Sequence, residues 1–135
     1  MSEAVAKATP TPRGEERAWF EAAAEGRLLI QRCGACGAAI FFPRSVCPIC
    51  HDDGLEWADA AGTGTVYSFT VLHRAGKPGW EADVPYVVAL IELEEGPRMM
   101  GNLLEVDPAQ VRIGMPVRVT FEQRDALSVP QWVPA

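Results

Sequence analysis

The stretch CGACGAAIFFPRSVCPIC, which runs from Cys33 to Cys50, contains all four cysteines of this 135-residue chain. They form two Cys-x-x-Cys pairs with ten residues between the pairs. Three chemical states could explain such clustering: two disulfides, a redox-active pair, or a metal site. The expected cytoplasmic location is reducing, which disfavours disulfides. A redox-active Cys-x-x-Cys motif is expected once, at the start of a helix, whereas here the motif occurs twice and beside prolines.

A structural zinc site suits the spacing better than the other two states. Paired Cys-x-x-Cys motifs bring four thiolates into a tetrahedron, and four thiolates leave no open position for water or substrate. The predicted zinc ligands are Cys33, Cys36, Cys47 and Cys50. His51 follows the last cysteine and is expected to face solvent. The segment between the pairs fits a hairpin, so the sequence predicts a zinc ribbon whose folding depends on its metal.

Composition narrows the class of protein. Residues 1–61 and residues 62–135 each carry six basic and nine acidic side chains, which gives −3 in each half and −6 in total. Nucleic-acid binders usually have a basic face, so nucleic acid is an unlikely partner. No apolar run reaches the roughly 20 residues that a membrane helix needs. The first residues do not resemble a secretory signal, and the expected location is the cytoplasm, without a membrane partner.

The chain divides into four predicted segments. Residues 1–10 lack apolar periodicity and are predicted to be a disordered tail. A helix is predicted over 11–27, with Thr11 as N-cap, Pro12 in the first turn and an end near Gly26. The ribbon is predicted over 28–61 and a β-barrel over 62–135.

Trp19 and Phe20 lie on one side of the predicted helix, together with Ala23. Two interpretations remain open for these aromatic residues. They could pack inside the chain, or they could form an apolar face for a partner protein. Because a zinc ribbon offers little surface for packing, the hypothesis taken forward is that Trp19 and Phe20 contact a partner chain.

After Gly64 the apolar residues follow a period of two, which is typical of β-strands. Strands are predicted over 65–73, 86–93, 99–106, 117–122 and 128–133. In the first strand, alternation predicts Val66 and Leu72 on one face and Tyr67, Phe69 and Val71 on the other. Residues 107–114 are predicted to form one helical turn. Five strands with a helical insert between the third and fourth are the arrangement of an OB-fold. The predicted fold is therefore mainly β, with an N-terminal helix, a zinc ribbon and a C-terminal five-stranded OB-fold barrel.

Several short motifs, in this order and spacing, resemble one family. They are Gly26-Arg27-Leu28, Gln31-x-Cys33-x-x-Cys36-Gly37, Phe42-Pro43-Arg44-x-x-Cys47-Pro48-x-Cys50, Gly62-x-Gly64-x-Val66-Tyr67-Ser68, Val84-Pro85-Tyr86 and Ile113-Gly114-Met115-x-Val117. From about Glu15 to Gln123 the chain resembles the family known as domain of unknown function 35. The resemblance implies that the ribbon is rubredoxin-like and that an OB barrel follows it.

The same resemblance implies a function. Members of this family resemble accessory subunits that associate with thiolase-like, lipid-transfer-type or acyl-CoA hydratase-like enzymes and help to accommodate acyl-CoA. Such systems include steroid side-chain breakdown and archaeal isoprenoid synthesis. The expectation is therefore a non-catalytic subunit of lipid or steroid metabolism, with a structural zinc, that forms a hetero-oligomer with an acyl-CoA enzyme.

A candidate ligand site lies in the loop from His73 to Asp83. The loop contains Arg74, Lys77 and Trp80, and cations beside an indole suit a phosphorylated adenine ligand such as coenzyme A. His73, Arg74, Lys77 and Trp80 are the predicted ligand-binding residues. A solvated hairpin loop is the alternative for the same segment.

Two other functions compete with the accessory subunit. The barrel could bind single-stranded nucleic acid, but that inference rests on fold analogy, and the acidic charge of both halves disfavours it. A free-standing enzyme would need a nucleophile or a base. The cysteines are committed to metal, His51 and His73 lack the partners of a catalytic triad, and no P-loop is present, so no catalytic residue is predicted.

Overall fold

The computed structural model describes residues 6–135, and the part of the predicted tail over 1–5 lies outside the described residues. The described chain contains one α-helix, eight strands and one short 3-10 helix. In chain order these are α1 (Glu16–Ala24), β1 (Leu29–Cys33), β2 (Ala39–Ile40), β3 (Leu55–Asp59), β4 (Thr63–Leu72), β5 (Tyr86–Leu93), β6 (Arg98–Leu103), the 3-10 helix (Pro108–Gln110), β7 (Pro116–Arg124) and β8 (Leu127–Pro134).

The strands form two sheets. An antiparallel ribbon sheet has the order β2-β1-β3, and a closed barrel has the order β4-β5-β6-β8-β7. The 3-10 helix lies between the third and fourth barrel strands, β6 and β7. The mainly β fold, with one helix, a cysteine-containing ribbon and a five-stranded OB-type barrel, is thus confirmed. Within residues 6–135 no helix is long and apolar enough to cross a membrane.

The predicted faces of the first barrel strand, β4, are wrong beyond Val66. The pairing of β4 with β5 shifts between Val66 and Ser68, so Tyr67 is an extra residue at a β-bulge. One extra residue reverses the alternation of side chains beyond it. Val66 therefore points into the core, and Phe69 and Val71 also pack against that core, while Tyr67 is exposed.

Trp132 of β8 fills the interior of the barrel and is fully buried. Gly101 of β6 makes room for it, because a Cβ at Gly101 would lie 3.0 Å from Cδ1 of the indole. Alternate residues of β5, including Val87 and Ile91, are buried around the same core. The interior is therefore packed with side chains, and the space for a ligand lies outside the barrel.

The barrel closes through one narrow seam between β6 and β8. These two strands are parallel, and only Leu103 and Trp132 pair across them. The N–H of Leu104 donates to the carbonyl oxygen of Trp132 at 2.7 Å. The neighbouring N–H, that of Asn102, donates to the side chain of Gln131 at 2.6 Å instead of to a backbone oxygen. Few backbone hydrogen bonds therefore hold this seam.

The helix begins later than predicted. Gly14 has φ of +53°, which interrupts the chain after Pro12, and Glu15 rather than Thr11 precedes the first helical residue. The predicted end is confirmed. Gly26 has φ of +77°, and the N–H groups of Gly26 and Arg27 donate to carbonyl oxygens of the last helical turn, as in a Schellman motif.

Residues 6–10 have no regular secondary structure, and two of their side chains contact loops of the barrel. The ammonium of Lys7 is 2.6 Å from a carboxylate oxygen of Asp83. The hydroxyl of Thr9 donates to Asp125 at 2.6 Å. A carboxylate partner for each polar side chain explains why this short segment is held in place.

Candidate functional site

Two turns of the ribbon hold the cysteines, and they have the same local geometry. The N–H groups of Gly37 and His51 donate to the carbonyl oxygens of Cys33 and Cys47 at 2.8 and 2.9 Å. Gly37 has φ of +76° and His51 has φ of +66°. Each Cys-x-x-Cys pair is thus followed by a residue in the left-handed region, which turns the chain back around the sulfur atoms.

The four sulfur atoms have the spacing of a tetrahedral zinc site. They lie within 4.8 Å of one another. The Cys33 and Cys50 sulfurs are 3.5 Å apart, and those of Cys36 and Cys47 are 3.8 Å apart. Ligands about 2.3 Å from a central zinc are separated by about 3.8 Å, so the donor set fits the metal. All four positions of the tetrahedron are protein thiolates, which makes this a structural site.

Backbone N–H groups prepare the sulfur of Cys47 for metal binding. The N–H groups of Cys50 and Ile49 lower the pKa of the Cys47 thiol to about 7, and the Ile49 nitrogen lies 3.4 Å from that sulfur. Cys33 and Cys47 are buried, whereas Cys36 and Cys50 are exposed. His51 is exposed beside the cluster and contributes no ligand atom to it.

An apolar groove of about 810 Å³ lies where the helix, the ribbon and the barrel meet. Its walls come from elements far apart in sequence. The apolar side chains that line it include Phe20, Phe41, Phe42, Tyr86, Val88 and Met100. Phe42 is 57% exposed and Met100 is 62% exposed, so the groove has a large apolar margin open to solvent.

Gln31 fixes the ribbon wall of the groove. Its side-chain amide donates to the carbonyl oxygen of Arg44 at 2.9 Å, and its carbonyl accepts the Arg44 N–H at 2.7 Å. These two hydrogen bonds hold the backbone that follows Phe42 and Pro43. Gln31 is buried, so these two hydrogen bonds connect the ribbon strand to the groove wall away from solvent.

The predicted ligand-binding loop reaches the groove with only two of its four candidate residues. Lys77 and Trp80 line the groove. His73 and Arg74 are exposed and do not line it. Lys77 forms no ion pair within residues 6–135, so its charge is available at the groove margin.

The Trp80 indole already has partners. Its ring centroid lies 4.7 Å from that of Tyr86, and the Lys7 ammonium lies 4.3 Å from the same indole. The guanidinium of Arg124 lies 5.7 Å from the ring and pairs with Glu122. Sequence analysis missed Lys7 and Arg124, because only the folded chain brings its two ends together beside this loop.

Two buried polar residues form part of the groove floor. They are Asn102 on β6 and Gln131 on β8. Sequence analysis missed both, although a polar residue within a predominantly apolar strand is a signal that could have been used.

The two predicted partner-binding residues have different environments. Trp19 is only 8% exposed, and its indole N–H donates to the carbonyl oxygen of Leu29 at 3.0 Å. Phe20 is half-buried and packs edge-on against Trp19, with ring centroids 4.9 Å apart. Both line the groove, but Trp19 also belongs to the hydrophobic core.

Two family models match consecutive parts of the chain. The rubredoxin-like zinc ribbon domain of ChsH2 matches residues 20–56, and the C-terminal OB-fold domain of ChsH2 matches residues 57–122. The ribbon match and the four clustered cysteines together indicate that zinc is the bound metal.

Among curated proteins, the chain is 45% identical over 118 residues to a probable enoyl-CoA hydratase alpha subunit of Thermomonospora curvata. That alignment covers 87% of this chain and 36% of the relative, so the chain spans about a third of the hydratase subunit. It is also 38% identical over 108 residues to a DUF35 domain-containing scaffold protein of Methanocaldococcus jannaschii, covering 79% of this chain and 76% of the relative.

One solved structure has the same fold over nearly its whole length. A chain of the Ltp2-ChsH2(DUF35) aldolase superposes with a TM-score of 0.84 at 42% sequence identity. The superposition covers 93% of this chain and 98% of that chain. The arrangement of helix, ribbon and barrel is therefore shared with a chain of that aldolase.

Proposed function

Since this chain belongs to the DUF35 family, whose members join a rubredoxin-like zinc ribbon to an OB-fold domain, we propose that it is a non-catalytic accessory subunit of an acyl-CoA-processing enzyme. It binds part of an acyl-CoA and docks on a thiolase-like or acyl-CoA hydratase-like partner to form a hetero-oligomer. The names of the hydratase subunit and of the Ltp2-ChsH2(DUF35) aldolase support this assignment, and the name scaffold protein supports a non-catalytic role.

The groove between helix, ribbon and barrel is the observation that carries the proposal. It combines an apolar lining with a cation, Lys77, that forms no ion pair within the described residues. Coenzyme A suits such a combination, because it joins a phosphorylated nucleotide to a long arm in which hydrocarbon groups alternate with two amides. Cations at the end of an apolar groove stabilise phosphates, and the lining removes the arm from water.

The charge at the groove favours an anionic ligand, although the whole chain is acidic. Lys7 and Arg124 lie beside Trp80 and pair with Asp83 and Glu122, whereas Lys77 lines the groove and forms no ion pair within residues 6–135. The residues that line the groove include two cations, Lys77 and Arg124, and one carboxylate, that of Glu16, in a chain of net charge −6. Positive charge concentrated at one place is the arrangement that attracts an anionic ligand.

The partner enzyme is proposed to cover the open margin of the groove. Phe42 and Met100 are more than half exposed, and Phe20 lines the same groove while it packs against Trp19 of the core. Apolar burial stabilises a complex by roughly 25 cal/mol per Å². Burying these clustered side chains against a partner therefore contributes more binding free energy than burying isolated surface residues. Phe20 takes the partner-facing role from the helix, and Trp19 supports it from the core.

The ligand site is tested by comparing two cations of one loop. Lys77→Ala in the complex with the partner enzyme is expected to weaken acyl-CoA binding about tenfold, because a charge-assisted hydrogen bond contributes roughly 1.5–3 kcal/mol. Arg74→Ala is the matched control and is expected to change the affinity less than twofold, since Arg74 does not line the groove. Calorimetric titration of each complex with an acyl-CoA measures both effects.

Three outcomes would contradict the proposal. An unchanged affinity in Lys77→Ala would remove the loop from the site. Failure of the co-expressed thiolase-like or hydratase-like enzyme to form a complex with the chain would remove the accessory role. Tight, steeply salt-dependent binding of a mixed-sequence single-stranded oligonucleotide by the chain alone would favour a nucleic-acid-binding function instead.

A further inference from the structure

Asn102 and Gln131 are two nearly buried amides at the floor of the groove. Asn102 is 9% exposed and Gln131 is 4% exposed. They stand on neighbouring strands, β6 and β8, on the two sides of the seam, and both line the groove. Polar side chains at such positions are expected to have complete hydrogen bonding, because burial without it is unfavourable.

Each amide is held in one orientation by its own hydrogen bonds. The backbone N–H of Asn102 donates to Oε1 of Gln131 at 2.6 Å, which identifies that atom as the oxygen. Nδ2 of Asn102 donates to the carbonyl oxygen of Val87 at 3.1 Å, which identifies it as the nitrogen. The assignment of both amides therefore follows from fixed backbone groups and not from a free choice of rotamer.

The other ends of the two amides are unused. Within residues 6–135, neither Nε2 of Gln131 nor Oδ1 of Asn102 has a hydrogen-bond partner. Two polar side-chain atoms in this part of the chain are fully buried without a hydrogen-bond partner, namely Oε1 of Glu95 and Nε1 of Trp132. Nε2 of Gln131 and Oδ1 of Asn102 are not among these buried atoms. Both therefore remain accessible. Both residues line the groove, and Asn102 also lines a smaller neighbouring pocket beside Pro85 and Leu104. The floor thus presents one fixed donor and one fixed acceptor within an apolar surrounding.

We infer that this donor–acceptor pair binds a secondary amide of the ligand. A secondary amide offers one carbonyl acceptor and one N–H donor, which match Nε2 of Gln131 and Oδ1 of Asn102. Building on the proposed function, the amide is one of those in the pantetheine arm of coenzyme A. A peptide of a partner protein also carries amides, but Lys77 and Arg124 on the same groove favour a ligand that also carries phosphate.

The pair gives the groove a way to recognise the arm that all acyl-CoA molecules share, independently of the acyl group. An apolar wall excludes water but discriminates little between hydrocarbon chains. A site built to hydrogen-bond an amide rejects a ligand that lacks it, because the buried polar atoms are then left without partners. Asn102 and Gln131 therefore act as positioning and specificity residues for the ligand, with no part in chemistry.

The test is a titration of the zinc-loaded full chain, followed by NMR through the side-chain amide signals of Asn102 and Gln131. Pantetheine, which has amides and no phosphate, and coenzyme A are both expected to shift these signals. Adenosine 3′,5′-bisphosphate, which has phosphates and no amide arm, is expected to leave them unshifted. Gln131→Glu keeps the oxygen that accepts from Asn102 and loses the donor, so it is expected to weaken pantetheine binding about tenfold. Gln110→Glu, at an exposed site away from the groove, is the charge-matched control and is expected to retain full binding.

The outcomes separate this inference from the proposed function. If coenzyme A binds the chain while the two side-chain signals stay unshifted, or if Gln131→Glu binds pantetheine as tightly as the original chain, the amide site is wrong and the accessory role stands. If neither pantetheine nor coenzyme A binds at millimolar concentration, the amide site and the binding of acyl-CoA by this chain are both wrong, and only docking on the partner enzyme remains. If a blocked dipeptide shifts the two signals and pantetheine does not, the groove binds a peptide and the inference is overturned. The titration of the original chain gives these answers even if Gln131→Glu does not fold.

Discussion

Cys47→Ser is expected to release the zinc and unfold the ribbon. Cys47 is fully buried, and the ribbon's own apolar cluster consists of little more than two cysteines and Ile40. Metal binding contributes on the order of 10 kcal/mol to the folding of such small units, whereas a whole domain is stable by only about 5–15 kcal/mol. Loss of one ligand should therefore remove most of the stability of this part of the chain. Elemental analysis of the purified protein and its thermal unfolding together measure the effect.

His51→Gly is the matched control for the metal site. His51 occupies a left-handed conformation equivalent to that of Gly37, so glycine suits its backbone, and its side chain contributes no ligand. We expect one zinc per chain and a melting temperature within a few degrees of the original. Full metal content in Cys47→Ser, or metal loss in His51→Gly, would show that the ligands have been wrongly assigned.

Trp19→Ala is expected to lower the free energy of unfolding by about 3–5 kcal/mol, as large-to-small substitutions of buried tryptophan do. The indole fills the space between Phe20 and Phe41, and the substitution also leaves the Leu29 carbonyl oxygen without its donor. Phe20→Ala, in the neighbouring half-buried position, is expected to cost less than half as much. Urea unfolding of the two variants makes the comparison.

This pair of substitutions also decides between the two interpretations of the helix. If Trp19 belongs to the core, its loss lowers stability, whereas Phe20→Ala mainly weakens the complex with the partner enzyme. Unchanged stability in Trp19→Ala, combined with loss of the partner and retention of zinc, would instead make Trp19 the partner-binding residue. Zinc content serves in both variants as the control for an intact ribbon.

The ribbon and the barrel could be predicted because each depends on a local pattern. Spacing alone identifies the four cysteines, and period-two alternation identifies the barrel strands. The same rule failed within β4, because Tyr67 is a bulged residue and reverses the faces beyond it. It failed again at the start of the helix, where Gly14 adopts a conformation that separates Pro12 from the helical turn. Both errors come from single residues, a bulged tyrosine and a glycine with positive φ, which the alternation and helix-start patterns do not detect.

The groove could be predicted only in part. Lys77 and Trp80 were found because a cation and an indole stand close together in one loop. Arg124 and Lys7 reach the same indole from opposite ends of the chain, and no local pattern connects them. The Trp80 ring already packs against Tyr86, so it is less available to stack on a nucleotide base than its position in a loop suggested.

Because the seam between β6 and β8 is narrow, we expect the barrel to open more easily there than between its other strands. Proteins open locally where few backbone hydrogen bonds connect neighbouring strands. β4 and β5 are joined over eight residue pairs, whereas β6 and β8 share only one. The amide hydrogens of Asn102 and Leu104 should therefore exchange with solvent sooner than those along β5. A ligand that spans Asn102 and Gln131 bridges the two sides of this seam. Its binding free energy then adds to the free energy of local opening, so slower exchange at the seam reports occupation of the groove.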